Sequence, residues 1–336
     1  MKKNTGIMKN LRIEKYRPDL FEKWNKFVDK SINGTLFHRL DFLNYHKDKF
    51  KNDEHHLVFY KGQEILALLP MAIINCDGRK IAKSPFGASL GGVILKKTLS
   101  YNECSAIVNS FFRFIQENLI ARVELTFLPN ILANSFCDTF IFTLLENGFK
   151  IANSDIMSIL NLNNETFDEN FSTSVKRSIK KSLLNNIQVR FNVDIEDFWQ
   201  VMTETFRKHN SNPTHSFKEW SYLCENFPDK IWCDVAYYEN KPISGIGHIS
   251  YRDEVDSSFY IANDPKYQEM QGLTLLIKEV LFKSRQNGFK FFDFGTSTAN
   301  MKARENIFRF KESFGSKGVF RNTFIWDLDE NNNINE

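Results

Sequence analysis

The stretch Trp232-Cys-Asp-Val-Ala-Tyr-Tyr-Glu-Asn-Lys-Pro-Ile-Ser-Gly-Ile-Gly-His-Ile-Ser-Tyr251 reads as strand, Asn-Lys-Pro turn, strand. An earlier stretch, His55-His-Leu-Val-Phe-Tyr-Lys-Gly-Gln-Glu-Ile-Leu-Ala-Leu-Leu-Pro-Met-Ala-Ile73, has the same build around a Lys-Gly turn. Each hairpin runs on into further strand, Lys80 to Leu95 and Asp256 to Ala262. Each then reaches an amphipathic helix, Asn102 to Asn118 and Gln268 to Asn287, and a short strand, Arg122 to Phe127 and Lys290 to Phe294. Helices precede both copies: Leu20 to Lys30 and Leu40 to Lys49 in the first, and Ser172 to Asn186, Ile195 to Asn210 and Phe217 to Glu225 in the second. A β-β-β-α-β order that occurs twice at so long a period predicts a duplicated domain rather than a solenoid. The fold class expected is α/β with mixed sheets. The polar segment Asn161 to Asn164 divides it into one domain over 10–160 and another over 165–328, with 329–336 a solvated tail.

Bulk properties agree with two soluble domains. A chain of 336 residues is too long for one typical core. A formal net charge of +3 does not by itself imply nucleic-acid binding, and no DNA partner is expected. The five cysteines are scattered, without a C-x-x-C pair or zinc spacing, so reduced thiols, a cytoplasmic location and no metal are expected. Met1 to Arg12 is basic with no apolar run behind it, unlike a secretory signal. No apolar run has the length of a membrane span, so an integral membrane protein is not expected.

Residues able to do chemistry concentrate in the second half. In Phe291-Phe-Asp-Phe-Gly-Thr-Ser-Thr298 a buried strand ends at Gly295 and opens into hydroxyls. Such a strand-to-helix edge gathers N–H groups and suits an anion or a carbonyl, which makes Thr296, Ser297 and Thr298 candidate substrate contacts. Lys311 follows among Phe308, Phe310 and Phe314, either a catalytic or phosphate-binding cation or a snorkelling surface lysine. Asp293 is either a base or the anchor of the loop. His215, beside a Ser216 placed to cap a helix, either meets the acceptor or belongs to a capping cluster. His248 is a rival base or a structural strand histidine. Gly245 and Gly247 leave room for substrate against the backbone, or mark a packing bulge. Lys176, Arg177, Lys180 and Lys181 form two i,i+4 rows of positive charge with Arg190 behind them: a phosphate site or a solvated face. In the first half Phe86, Ser89, Gly91 and Gly92 are candidates to line an acceptor cleft between the domains, and His38 and Arg39 either begin a similar patch or belong to a surface helix.

Several motifs resemble those of bacterial FemAB-like tandem GNAT proteins. They are Asn212-Pro-Thr-His-Ser216, Asp293-Phe-Gly-Thr-Ser-Thr298 and Lys311-Glu-Ser-Phe-Gly315. Lys176-Arg-Ser-Ile-Lys-Lys181 is similar to that family's basic helix before the second domain, and Pro85-Phe-Gly-Ala-Ser-Leu-Gly-Gly92 to its glycine-bearing strand turn. The resemblance extends from about Leu36 to Leu328 and implies two GNAT-like domains. It further implies acyl transfer to an amine, with N–H groups of two splayed central strands polarising the carbonyl, and it sets Ser244-Gly-Ile-Gly-His248 in the matching region.

The GNAT pyrophosphate loop is Gln/Arg-x-x-Gly-x-Gly/Ala, whereas Gln268-Glu-Met-Gln-Gly-Leu273 has one glycine, in a different register, and an acidic residue. This departure argues against acetyl-CoA and leaves acyl-CoA or aminoacyl-tRNA as co-substrate, with no bound cofactor. The resemblance thus implies an N-acyltransferase or aminoacyltransferase, acting on an amine of a cell-envelope, peptidoglycan or polysaccharide precursor. Its expected partners are a small-molecule or nucleotide-sugar acceptor and, for an aminoacyl donor, tRNA. The expected state is a monomer. The alternative is a non-catalytic scaffold of an envelope-polysaccharide pathway with a degenerate donor site.

Overall fold

The computed structural model describes residues 11–208 and 210–329. Residues 1–10 of the basic stretch Met1 to Arg12, and 330–336 of the tail expected over 329–336, lie outside the described residues. The chain forms two compact units, one built from the chain up to Ser154 with the segment from Phe320 onward, the other from Asp155–Val319.

In chain order the first half supplies β1 (Leu11–Lys15), α1 (Phe21–Lys30), β2 (Leu57–Lys61), β3 (Glu64–Leu69), β4 (Ala72–Cys76), β5 (Arg79–Ser84), β6 (Ile94–Leu95), α2 (Tyr101–Glu117), β7 (Ile120–Thr126), α3 (Asp138–Glu146) and β8 (Lys150–Asn161). Strands β1, β2, β3 and β6 make one antiparallel sheet, in that order. In the other sheet β4 pairs antiparallel with β5, which runs parallel to β7. Helix α2 starts at a capping box of Ser100 and Glu103 and buries Cys104, Ile107, Val108, Phe111 and Ile115. These residues recur at helical spacing along one stripe, which is why the segment is a helix packed on a sheet.

The second half continues with α4 (Thr173–Leu184), β9 (Gln188–Arg190), α5 (Ile195–Lys208), α6 (Phe217–Asn226), β10 (Ile231–Tyr238), β11 (Lys241–Ile249), β12 (Val255–Asn263), α7 (Gly272–Gln286), β13 (Phe291–Thr296), α8 (Glu305–Glu312) and β14 (Lys317–Asp327). In the second unit the sheet order is β8-β13-β12-β11-β10-β9, with only β12 and β13 parallel. Helix α7 buries Leu275, Leu276, Ile277, Val280 and Leu281. Helix α5 buries Phe198, Val201 and Met202. As the sequence suggests, Ser216 caps α6, and Glu219 completes a capping box.

Two long strands were not foreseen. Apart from a two-residue hairpin of Thr298–Ala299 with Lys302–Ala303, each half ends in the same β-α-β order, β7-α3-β8 and β13-α8-β14. The partners are exchanged, however. Met157 to Asn161 of β8 pair with β13, while Thr323 to Asp327 of β14 pair with β7. Each unit is therefore completed by a strand from the other half of the sequence.

Gly245 and Gly247 lie on β11, where the space they leave is already filled. A Cβ at Gly245 would stand 2.8 Å from the Phe198 ring, and one at Gly247 would stand 2.8 Å from Phe198 and 2.9 Å from Trp220. The two glycines let the aromatic side of α5 and α6 approach the sheet, so the room expected for substrate is core. We predict that Gly247→Ala lowers unfolding free energy by about 1–3 kcal/mol through overpacking. Chemical denaturation measures it, and an unchanged midpoint would show that this contact does not carry packing.

Candidate active site

The second unit's sheet opens at one place. Strands β12 and β13 pair only through Val255 to Ser257 and Phe291 to Asp293. Both strands continue past that point, to Asn263 and Thr296, without pairing to each other. The family resemblance implies a splay at Ser244 to His248. There β11 stays paired with β10 on one side and β12 on the other, so the opening lies one strand junction further on.

At the opening β13 bends. Its register with β8 shifts between Asp293 and Thr296, and Gly295 has φ +75°, a conformation that favours glycine. The bend is held from two sides. The Gly295 N–H donates to Asp293 Oδ1 at 2.7 Å. From α8, Lys311 Nζ donates to the carbonyls of Gly295 at 3.0 Å and Thr296 at 2.8 Å. Lys311 is only 5% exposed, although it sits in the last turn of a short helix. Burial pushes its pKa down to about 8; the charge of Asp293 opposes that shift and Arg304 adds to it. Asp293 also accepts from the Tyr251 hydroxyl at 3.0 Å. Tyr251 is itself held in its neutral form by burial and by that carboxylate.

The neighbouring hydroxyls point inward. Ser297 Oγ and Ser158 Oγ lie 2.7 Å apart, and Thr298 Oγ1 donates to Asp155 Oδ1 at 2.7 Å while accepting from the Ile156 N–H. These contacts fasten the loop to β8. Of the three residues proposed to touch substrate, Ser297 and Thr298 spend their hydroxyls within the fold, and Thr296 gives its carbonyl to Lys311.

His215 lies just before α6 and bonds to Tyr260 on the far stretch of β12. Its ring Nδ1 is 2.8 Å from the Tyr260 hydroxyl, which also accepts from the His215 N–H. Trp220 and Phe259 pack against the ring. His248 is elsewhere, fully buried between two carboxylates: Nδ1 is 2.8 Å from Asp256 and Nε2 is 3.2 Å from Asp234. Asp256 also accepts from Ser284 Oγ, and Asp234 from the Asn192 N–H. Burial alone would depress the His248 pKa, but the two carboxylates outweigh it and raise it to about 10. A histidine kept as a cation has no lone pair with which to take a proton. Its role as a base is therefore corrected to that of a buried charge holding β10, β11 and β12 together.

The remaining candidates lie on other elements. Lys176, Arg177, Lys180 and Lys181 face outward on α4, with Lys176 Nζ donating to the Glu169 carbonyl. Ser89, Gly91 and Gly92 belong to the first unit. Gly91 N–H donates to Thr126 O and Gly92 N–H to Ser84 Oγ; an added Cβ would strike Pro85 N or the Phe127 ring within 2.5 Å. They are tight-packing glycines, and Ser89 beside them is half-buried. His38 is buried on Thr35 rather than on a surface helix, and Arg39 bridges Asp29 and Asp41. Sequence reasoning passed over Tyr251, Tyr260 and Arg304. Both tyrosines are buried, Tyr251 just past β11 and Tyr260 within β12, where a polar tip needs a partner.

The segment Gln268 to Leu273 is no glycine-rich loop. Pro265–Met270 forms a 3-10 turn, Gln271 is left-handed, and Gly272 lies against Ile243, with only 2.6 Å for a Cβ. That turn delays α7 to Gly272, past the expected start. Among the described residues no group of three or more His, Cys, Asp or Glu is arranged to hold a metal ion. No helix among them is long and apolar enough to cross a membrane.

No known family description matches the sequence, and no curated protein matches it. Solved structures do match. FemX superposes over 94% of this chain and 98% of its own, with TM-score 0.69 at 10% identity. The C-terminal domain of a putative lysylphosphatidylglycerol synthetase from Agrobacterium fabrum superposes over 93% of this chain and 92% of its own, with TM-score 0.60 at 10% identity. A tandem GNAT protein from the clavulanic acid biosynthesis pathway covers 95% and 98%, with TM-score 0.50 at 9% identity. The fold is that of tandem GNAT proteins. More particularly, it is FemX-like along nearly the whole chain.

The charged state of His248 gives a testable pH dependence. Its pKa is raised on folding, so its stabilisation is complete below about 6.5 and is lost as pH rises toward about 10. Thermal midpoints of the wild type should fall over that interval, and Asp256→Asn should flatten the fall. An equally steep fall in the variant would contradict the assignment.

Proposed function

We propose that this chain is an acyltransferase that moves an acyl or aminoacyl group onto an amine of an envelope or polysaccharide precursor, with the chemistry in the second unit. The observation that carries this reading is the buried Lys311 ammonium at the parting of β12 and β13. Two of its hydrogens are spent on carbonyls, and the third is the donor offered to a ligand. The amine of the acceptor attacks the donor carbonyl, a C–N bond forms, and negative charge develops on the carbonyl oxygen. A preorganised cation in a dry site stabilises that charge far more than one in water. The bond to the thiol or ribose oxygen of the donor then breaks. Asp293 holds the bend. With His248 committed as a cation, His215 is the histidine left to take the proton of the amine.

Two features favour an aminoacyl donor over acetyl-CoA: the replacement of the pyrophosphate loop by a 3-10 turn and the likeness to a protein named for lysylphosphatidylglycerol synthesis. Acetyl-CoA should then raise the melting temperature little or not at all, while aminoacyl-tRNA or a nucleotide-linked amino sugar raises it. A clear micromolar acetyl-CoA site would overturn the donor assignment.

Lys311 is the direct test of the mechanism. With a competent substrate pair, Lys311→Ala should lower kcat by about 10²–10³ with little change in acceptor KM. Lys311→Arg should recover part of the loss. Because the cation is the working form, the wild-type rate should fall as pH rises through about 8. A rate that rises there would make Lys311 a general base, and full activity of Lys311→Ala would remove the centre of this site.

A further inference from the structure

Helix α4 has a surface that the proposed chemistry does not use. Its twelve residues contain no Asp or Glu. Val175 and Ser182 are buried, and Ser178 and Ile179 half-buried, on the side that packs on α7. The opposite side carries Lys176 and Arg177, then Lys180 and Lys181 one turn later, then Leu184 one further turn on. All four cations are exposed, and none is ion-paired with a carboxylate among the described residues. Leu184 is 83% exposed and its neighbour Leu183 is 56% exposed.

Two properties separate this surface from an ordinary solvated helix. Solvated faces usually interleave charges of both signs, whereas this one has a single sign. An exposed leucine pair in line with the cations gains nothing from water and nothing from a phosphodiester backbone. A site for single-stranded RNA would add aromatic rings on which bases stack, and α4 has none. An anionic bilayer satisfies both properties: its headgroups attract the lysines and arginine, and its acyl boundary takes up leucine side chains.

We propose that the outward face of α4 docks the protein reversibly on an anionic phospholipid surface, with Leu183 and Leu184 inserted and the four cations at the level of the lipid phosphates. The contact is peripheral and sensitive to salt. It does not depend on the transfer reaction proposed above.

Flotation of the full chain with vesicles tests this. It should float with phosphatidylcholine vesicles containing one-third phosphatidylserine, remain behind with phosphatidylcholine alone, and be released by added salt. Each of Lys176→Gln, Arg177→Gln, Lys180→Gln and Lys181→Gln should weaken vesicle binding about fivefold. Leu183→Ser with Leu184→Ser should weaken it about tenfold or more at unchanged charge. These six side chains are exposed, so thermal midpoints should match the wild type. Absence of phosphatidylserine-dependent flotation overturns the proposal. So does flotation indifferent to the leucine pair. Retention of bulk tRNA that the charge variants abolish, with no flotation, would assign the face to RNA instead.

Discussion

The second unit depends on one interaction: the ammonium of Lys311 bound to the carbonyls of Gly295 and Thr296. A parallel strand pair that stops after three residues leaves two backbone edges without each other as partners. An edge of that kind normally invites another strand. Here β13 is bent away at Gly295, tied down by Asp293 below and by Lys311 across, so the gap is kept open by design of the local hydrogen bonds. The cost is a buried cation, and its depressed pKa expresses that cost. The same desolvation strengthens the attraction of the ammonium for a developing negative charge.

A second buried charge steadies the sheet around this gap. His248 lies flat against Trp232, with ring centroids 4.7 Å apart, and joins Asp234 of β10 to Asp256 of β12 across β11. Removing the imidazolium would leave two buried carboxylates without the cation between them, which is why His248 is hard to replace. Of the polar residues that sequence reasoning grouped as one catalytic set, some hold the sheet and others hold the loop. Lys311 holds the bend of β13 from α8 and is the buried cation nearest the parting of the strands.

Much of the architecture was legible because it rests on local pattern. The two hairpins, the helix stripe of Cys104 to Ile115, and the Ser216 cap follow from residues close in sequence, although the turns themselves fall at Gly62-Gln63 and Glu239-Asn240, with Lys61, Lys241 and Pro242 already on strands. Strands β8 and β14 were missed. They alternate weakly and pair with segments more than a hundred residues away in β13 and β7, and nothing local announces an exchange. The site was legible in part for the same reason. The cluster of Asp293, Gly295 and Lys311 stands out in sequence, but glycines on a strand look alike whether a ligand or an aromatic ring approaches them. Gly245 and Gly247 proved to face Phe198 and Trp220. A histidine between two aspartates far apart in sequence likewise gives no sign that it is kept charged.

The central claim is that Lys311 is a buried cation poised near neutrality, and its titration measures this directly. Carbon-13 reductive methylation, with the Lys311→Arg variant used to assign the signal, should show one slow-reacting lysine that titrates near 8. A lysine at this position that titrates near the ordinary value of 10.5 and reacts as readily as the surface lysines would contradict the account.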